Sequence, residues 1–190
     1  LSSENVLTFK EAPDYETKSS YTITLSLFDG TITVTKDITI SINNLNDNPP
    51  IFTSNSTLEI EENIKTIATI TASDADGSPL VFSIEDDNEI MITSDGILSF
   101  ITPADYETKT SYSTIIKVYD GIFSTYQTVT INVTDANDNP PVITSSDFTP
   151  DENQSSIGTI EATDVDTNTV LTYSISGTDA EYMTVDSESG

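Results

Sequence analysis

Shifted by 91 residues, the chain matches itself: segment 12–30 (APDYETKSSYTITLSLFDG) falls on 103–121 (PADYETKTSYSTIIKVYDG), and 46–50 (NDNPP) falls on 137–141 (NDNPP). At a shift of 90, segment 61–76 (EENIKTIATITASDAD) falls on 151–166 (DENQSSIGTIEATDVD). A unit of about ninety residues can close a small hydrophobic core of its own, so the chain reads as one domain design written repeatedly. In this register Leu1 has the phase of Ile92, and the last residues have the phase of Gly96. Residues 51–141 therefore form one complete unit with its linker, 1–50 the back part of a preceding unit with its linker, and 142–190 the front part of a following one. That phasing predicts a window onto a longer array, with neighbouring repeats at both ends; the alternative is partial units that complete each other between molecules.

Within the unit, apolar residues recur at every second position. Between Thr31 and Ile42, residues Ile32, Val34, Ile38, Ile40 and Ile42 share one parity, and Thr33, Thr35, Asp37, Thr39 and Ser41 the other. A strand with one wet and one buried face produces this pattern, and a helix does not. Lys36 interrupts the apolar parity and predicts a bulge or an exposed edge. In the complete unit, strands are predicted at 57–60, 66–72, 80–84, 90–93, 97–100, 111–119 and 124–133, with turns at Asp74–Ser78, Asp86–Asn88, Ser94–Gly96 and Asp120–Gly121. Seven short strands without a competing helix imply an all-β chain of tandem Greek-key seven-stranded β-sandwiches with Ig-like architecture. Pro49-Pro50 and Pro140-Pro141 mark the joints, because consecutive prolines end ladder pairing and stiffen the connection.

Charge then narrows the partners. Against 32 Asp and Glu stand 6 Lys and Arg, a formal net charge of −26. Such a surface repels nucleic acid and anionic membranes, which are bound through Lys and Arg, and cations become the natural partner. The chain contains no Cys and no His, which removes thiolate sites, disulfides and the commonest general base, leaving oxygen ligands. No apolar run is long enough to cross a bilayer, so no direct membrane insertion is expected of this segment.

Five acidic phrases recur at fixed places: EEN or DEN, DAD or DVD, DYE, FDG or YDG, and NDN. Asp, Asn, Gly and Pro are ordinary turn residues, so any one phrase reads as a turn; five in a fixed order read as a ligand set. An EF-hand over Asp74, Asp76, Ser78 and Glu85 fails because Pro79 stands where Gly is required and the flanks are strand-like. Paired carboxylates for glycoside hydrolysis, Asp105 with Glu107 or Asp74 with Asp76, recur in every unit and face no Trp-lined cleft, so no enzyme is expected. The sequons at Asn55, Asn132 and Asn153 are short triplets that chance supplies in a chain rich in Asn, Ser and Thr. Tyr15 and Tyr106 read as packing or edge residues, Tyr21 and Tyr112 as core or corner residues.

The phrases and their order resemble the cadherin repeat: an early Glu, D-x-D after the second strand, D-x-E before the sixth, an x-D-x-G turn after it, and a D-x-N-D-N-x-P linker. The resemblance covers nearly the whole chain; DYE in place of the DRE of animal cadherins looks closest in style to the cadherin-like repeats of bacterial surface proteins. It implies up to three Ca²⁺ ions at each linker. At the first joint the implied ligands are Asp14 and Glu16, Asn46, Asp47 and Asn48, then Asp74, Asp76 and Asp120, with the carbonyl of Leu45. At the second they are Glu62, Asp105 and Glu107, Asn137, Asp138 and Asn139, then Asp164 and Asp166, with the carbonyl of Ala136. Each joint gathers six carboxylates, with a seventh implied by the motif, so three divalent ions bring it near neutrality; without them like charges raise pKa values or push the units apart. The implied function is a calcium-binding extracellular segment, at the cell surface or secreted, acting as a rigid stalk or filament in adhesion, with itself, another surface protein or a glycan as partner. The alternatives are a carbohydrate- or protein-recognition module and a metal-independent acidic spacer. Adhesion by insertion of a terminal Trp is not expected, since the chain has none.

Overall fold

The structure is a computed structural model that describes residues 6–85, 87–167 and 169–188. Ahead of the first joint lie β1 (Ser20–Phe28) and β2 (Thr33–Ser41). The complete unit holds β3 (Ile51–Phe52), β4 (Thr57–Glu61), β5 (Thr66–Thr69), β6 (Ala72–Ser73), β7 (Val81–Ile84), β8 (Ile90–Ile92), β9 (Ile97–Phe100), β10 (Ser111–Tyr119) and β11 (Ser124–Thr134). After the second joint come β12 (Val142–Ile143), β13 (Ala162–Thr163) and a 3₁₀ turn at Ala180–Tyr182.

The complete unit is a β-sandwich. One sheet has the order β4-β11-β10-β7, with β4 parallel to β11 and the other pairs antiparallel; the facing sheet is β5-β9-β8, and β3 pairs with β6 at its rim. Alternation decides which face is dry: Thr114, Ile116 and Val118 of β10 and Val129, Ile131 and Val133 of β11 point inward. They meet Leu98, Phe100, Ile90, Phe82 and Ile70 in a single core. Tyr112 packs edge-on against Phe100, ring centroids 4.8 Å apart, and Tyr106 also lies against this core. Both tyrosines thus serve packing.

Three expectations change in detail. The strand expected over 66–72 is two, β5 and β6, because the chain passes from pairing with β9 to pairing with β3; between them Ile70 turns fully into the core and its N–H bonds Gly96 O at 2.8 Å. Of the bulge or exposed edge expected at Lys36, the edge is found: Lys36 is exposed opposite Leu25 in an unbroken register from Ser20↔Ser41 to Phe28↔Thr33, and among the described residues β2 pairs only with β1. Of the turn expected at Asp86–Asn88, Asp86 lies outside the described residues; Asp87 accepts the N–H groups of Glu89 and Ile90 at 2.8 and 2.9 Å.

The partial units retain the same local contacts. Phe9 packs edge-on against Tyr21 with centroids 5.0 Å apart, and Lys18 lies over Tyr21 as Lys109 lies over Tyr112. Yet residues 6–9, 147–151, 156–159 and 172–175, the counterparts of β9, β4, β5 and β7, form no ladder. An isolated strand leaves its amides and carbonyls unpaired, so alternation becomes a strand only where a partner strand lies beside it.

Candidate metal centre

Each joint draws on four places in the fold. At the first, Asp14 and Glu16 lie in the turn ahead of β1, residues 44–48 in the linker after β2, Asp74 and Asp76 after β6, and Asp120 between β10 and β11. At the second, Glu62 follows β4, Asp105 and Glu107 precede β10, residues 135–139 follow β11, and Asp164 and Asp166 follow β13. Strand ends of two units and the linker between them therefore meet at one level.

The same clamp closes both joints. Asn48 donates its backbone N–H and its side-chain amide to Asp76, each at 2.8 Å, and Asp47 donates its N–H to Asp76 at 3.0 Å. Asn139 repeats this on Asp166 at 3.0 and 2.9 Å and reaches Glu107 at 3.2 Å. Asn46 donates to the backbone carbonyl of Asp120 at 3.2 Å, from the linker into the next unit. Glu62, only 2 % exposed, accepts Tyr106 N–H at 2.7 Å and Ala136 N–H at 2.9 Å, tying its own unit to the linker.

Three groups of carboxylate oxygens lie within 4.8 Å of one another: Glu16 with Asp47 and Asp76, Glu62 with Glu107 and Asp138, and Glu107 with Asp135 and Asp166. Asp14 and Asp105 stand in none of these groups; each caps its own turn, accepting hydroxyl hydrogen bonds from Thr17 at 2.7 Å and Thr108 at 2.9 Å. Leu45 and Asn137 are exposed on the linkers, and Ala136 is half-buried. Asp74 and Asp164 use one oxygen in their own loops, accepting Ser78 N–H at 3.1 Å and Asp166 N–H at 3.0 Å.

Two participants were not among the expected ligands. Asp135 belongs to the second carboxylate group around Glu107, and accepts both the N–H and the hydroxyl of Thr167. It is the first letter of the D-x-N-D-N phrase, and Asn44 takes its place at the other joint, donating to Asp76 O at 2.8 Å. Asn63, in the left-handed region at φ 62°, turns its amide onto Asp138 at 2.5 Å, and Asn153 of the next repeat adopts φ 65°. The repeated Asn of EEN and DEN was the signal, since Asn is the non-glycine residue that most readily takes this conformation.

Hydration and neighbours set the protonation of the cluster. Glu107 loses hydration and faces Glu62, Asp135 and Asp166, and its pKa is raised above the ordinary 4.5; Glu16 is raised by the same loss of hydration, with Asp14 and Asp76 adding to it. Asp76 and Asp120 also lose hydration, but donors outweigh it: the Asn48 amide with the Asn48 and Asp47 N–H groups for Asp76, and the Ile122 and Phe123 N–H groups for Asp120 hold each below 3.8. A raised carboxylate penalises folding at neutral pH, and the penalty is relieved as pH falls through the window just above 4.5. The lowered pair stabilise above 3.8, and that contribution is lost as pH falls below it. Metal-free chain is therefore expected to resist urea better at about pH 5 than at about pH 7.5 and to weaken again in stronger acid. A urea midpoint that only falls with acidification would contradict the like-charge crowding.

No family model matches the chain. Cadherin-7 of Gallus gallus is 31% identical over 215 residues, covering 93% of this chain and 27% of its own length. Protocadherin-23 of Homo sapiens is 26% identical over 202 residues, covering 97% of this chain and 6% of its own. The crystal structure of the protocadherin gammaB4 extracellular domain superposes with a TM-score of 0.64 at 26% identity, covering 84% of this chain and 28% of that one. The chain thus spans only a small part of the relatives it matches, and what aligns is the repeat. The phrase order, the sandwich and these likenesses converge: the chain belongs to the cadherin family, as a stretch of its extracellular repeats.

Proposed function

We propose that the chain is a calcium-stiffened segment of an extracellular adhesive array, its joints loaded with up to three Ca²⁺ ions each. The observation that carries this is a set of orphaned acceptors. Among the described residues, the buried side-chain atoms without a hydrogen-bond partner are Asn46 Oδ1, Asp74 Oδ2, Asp120 Oδ2, Asp135 Oδ1, Asp164 Oδ2 and Thr169 Oγ1. Five of the six are amide or carboxylate oxygens at the joints. A buried acceptor left unpaired costs about 1–3 kcal/mol, more when charged, and acceptors alone are satisfied by a cation.

The donor set fits the ion. Carboxylate and amide oxygens without nitrogen or sulfur suit a hard cation, and mixed ligands from several loops suit the larger, less directional Ca²⁺ better than Mg²⁺. Bound calcium supplies positive charge at the hinge: Glu62, Glu107 and Asp138 would hold it from one unit and the linker, Asp135, Asp164 and Asp166 from the linker and the next unit. The same reading assigns Glu16, Asp47, Asp74, Asp76 and Asp120 to the first joint. Affinity is expected in the range of extracellular modules, about 10⁻⁴ to 10⁻³ M. The adhesive partner is another copy, another surface protein or a glycan.

Asp138→Ala tests the reading. Asp138 is exposed and lies outside the hydrophobic core, so the change is expected to alter the unfolding free energy of the complete sandwich, read by urea denaturation, by no more than about 0.5 kcal/mol. Small-angle scattering should at the same time show the second joint bending freely at calcium concentrations that straighten the unaltered chain. Equal loss of sandwich stability and joint stiffness would refute a linker role for this carboxylate.

A further inference from the structure

Three carboxylates converge at the second joint, Glu62, Glu107 and Asp138, and they are not held alike. Glu62 is buried and fixed by two backbone N–H groups at 2.7 and 2.9 Å, whereas Asp138 is exposed on the linker. An exposed carboxylate with an oxygen within 4.8 Å of oxygens on two others is pushed outward by like charge, toward water that can receive it. Two side-chain amides hold it inward: Asn63 donates to Oδ2 at 2.5 Å and Asn139 to Oδ1 at 2.8 Å. The Asn139 amide is divided, since it also reaches Glu107 at 3.2 Å and Asp166 at 2.9 Å. That of Asn63 is directed at Asp138 from the loop after β4, across the cluster from the linker.

The backbone of Asn63 is what aims this amide. Its φ of 62° lies in the left-handed region, and its N–H bonds Ala104 O at 3.0 Å, pinning the loop after β4 to the turn that carries Asp105 and Glu107. Neighbours in the chain thus take different parts in one cluster: Glu62 enters it as a carboxylate, and Asn63 draws Asp138 into it as a donor. Asn meets both demands of the position, because it tolerates positive φ and its amide donates. Gly meets only the first, Gln only the second, and Asp would add a negative charge. Asn153, in the DEN phrase of the next repeat, adopts φ 65°, so the turn belongs to the repeat.

We infer that Asn63 is a positioning residue for the metal: its amide, aimed by the left-handed turn, holds Asp138 beside Glu62 and Glu107 before any ion arrives. The inference rests on the calcium reading of the second joint and adds to it the group that arranges one ligand in advance. A carboxylate already in place needs no ordering when the ion binds, and one hydrogen bond on an oxygen leaves its other lone pair for coordination. Partners that orient a ligand without touching the metal govern affinity by about 10–100-fold.

Calcium titration of the full 190-residue chain tests it, read by nuclear magnetic resonance at the amides of residues 135–139, with residues 44–48 of the first joint as internal control. Asn63→Gly keeps the turn, because Gly takes positive φ freely, and removes the donor. It is expected to raise the calcium midpoint at 135–139 about tenfold while the midpoint at 44–48 and the urea midpoint in chelator stay where they were. Asn63→Ala removes the donor and also strains the turn, so its urea midpoint should fall as well. Because the amide acts through Asp138, adding Asn63→Gly to Asp138→Ala should weaken binding no further. An unchanged calcium midpoint for Asn63→Gly overturns the positioning role and leaves the calcium reading intact, and so does a further loss in the double variant. A fall in the urea midpoint of Asn63→Gly as large as that of Asn63→Ala overturns it too, since the side chain would then serve the fold alone. If no amide of the unaltered chain responds to calcium, the calcium reading itself fails and this role with it.

Discussion

Calcium at about one hundred times its dissociation constant is expected to raise the thermal unfolding midpoint of the chelator-treated chain by roughly 10–20 °C, for a single site filled per transition. The arithmetic is that of a ligand held only by the folded state: a hundredfold excess stabilises by about 2.7 kcal/mol, and 1 kcal/mol moves a domain of this size by roughly 4–8 °C. More ions per joint enlarge the shift. Its source is mutual: the lost hydration and the neighbouring like charges that raise Glu16 and Glu107 are compensated, and the orphaned oxygens of Asp74, Asp120, Asp135 and Asp164 gain a partner. Calorimetry with and without chelator reads the midpoint, and scattering reads the extension of the chain. Magnesium at the same concentration should do much less. An unchanged midpoint together with an unchanged length would leave an acidic spacer that needs no metal.

Glu62→Ala is expected to cost about 2–5 kcal/mol even in chelator, the largest loss from any single joint residue, because both oxygens of this buried carboxylate accept backbone N–H groups of other loops. Tyr106 N–H and Ala136 N–H, on half-buried residues, would each lose the acceptor that the buried Glu62 side chain provides. Two separate loops are bound by this one side chain, so the loss should appear as lower stability of the complete sandwich and as a looser linker together. Glu62→Gln keeps one acceptor oxygen and should recover part of the stability while still weakening calcium binding. Urea denaturation in chelator separates the two roles. A loss below about 0.5 kcal/mol for Glu62→Ala would show that other acceptors, or water, satisfy those amides. The contrast with Asp138 is physical: Asp138 is exposed and its side chain meets two amides that can turn to solvent, whereas Glu62 cannot be replaced by water without opening the loops.

Part of the candidate site was legible in the sequence, the phrases from their recurrence and their members from the cadherin resemblance. The D-x-D, D-x-E and N-D-N phrases recur in fixed order, and the structure gathers Glu16, Asp47 and Asp76 at one joint and Glu62, Glu107 and Asp138 at the other. Phrases do not reveal which member faces the cluster. Asp14 and Asp105 turn back to cap their own loops, because a Thr three residues on offers both a hydroxyl and an N–H. Asp135 and Asn63 stand in repeated phrases, yet they enter through the direction in which the linker and the left-handed turn aim their side chains.

The ninety-residue period, the two-residue alternation and the positions of the prolines follow from the order of residues alone, because each reports on chain geometry that neighbours cannot change. Whether an alternating segment becomes a strand is decided in three dimensions. Residues 57–61 pair with β11 and are β4, while among the described residues the matching 147–151 form no ladder. Likewise 66–72 divides at Ile70 because one stretch of backbone serves two sheets. A hydrogen-bond ladder belongs to two segments at once, and its formation depends on what packing brings alongside.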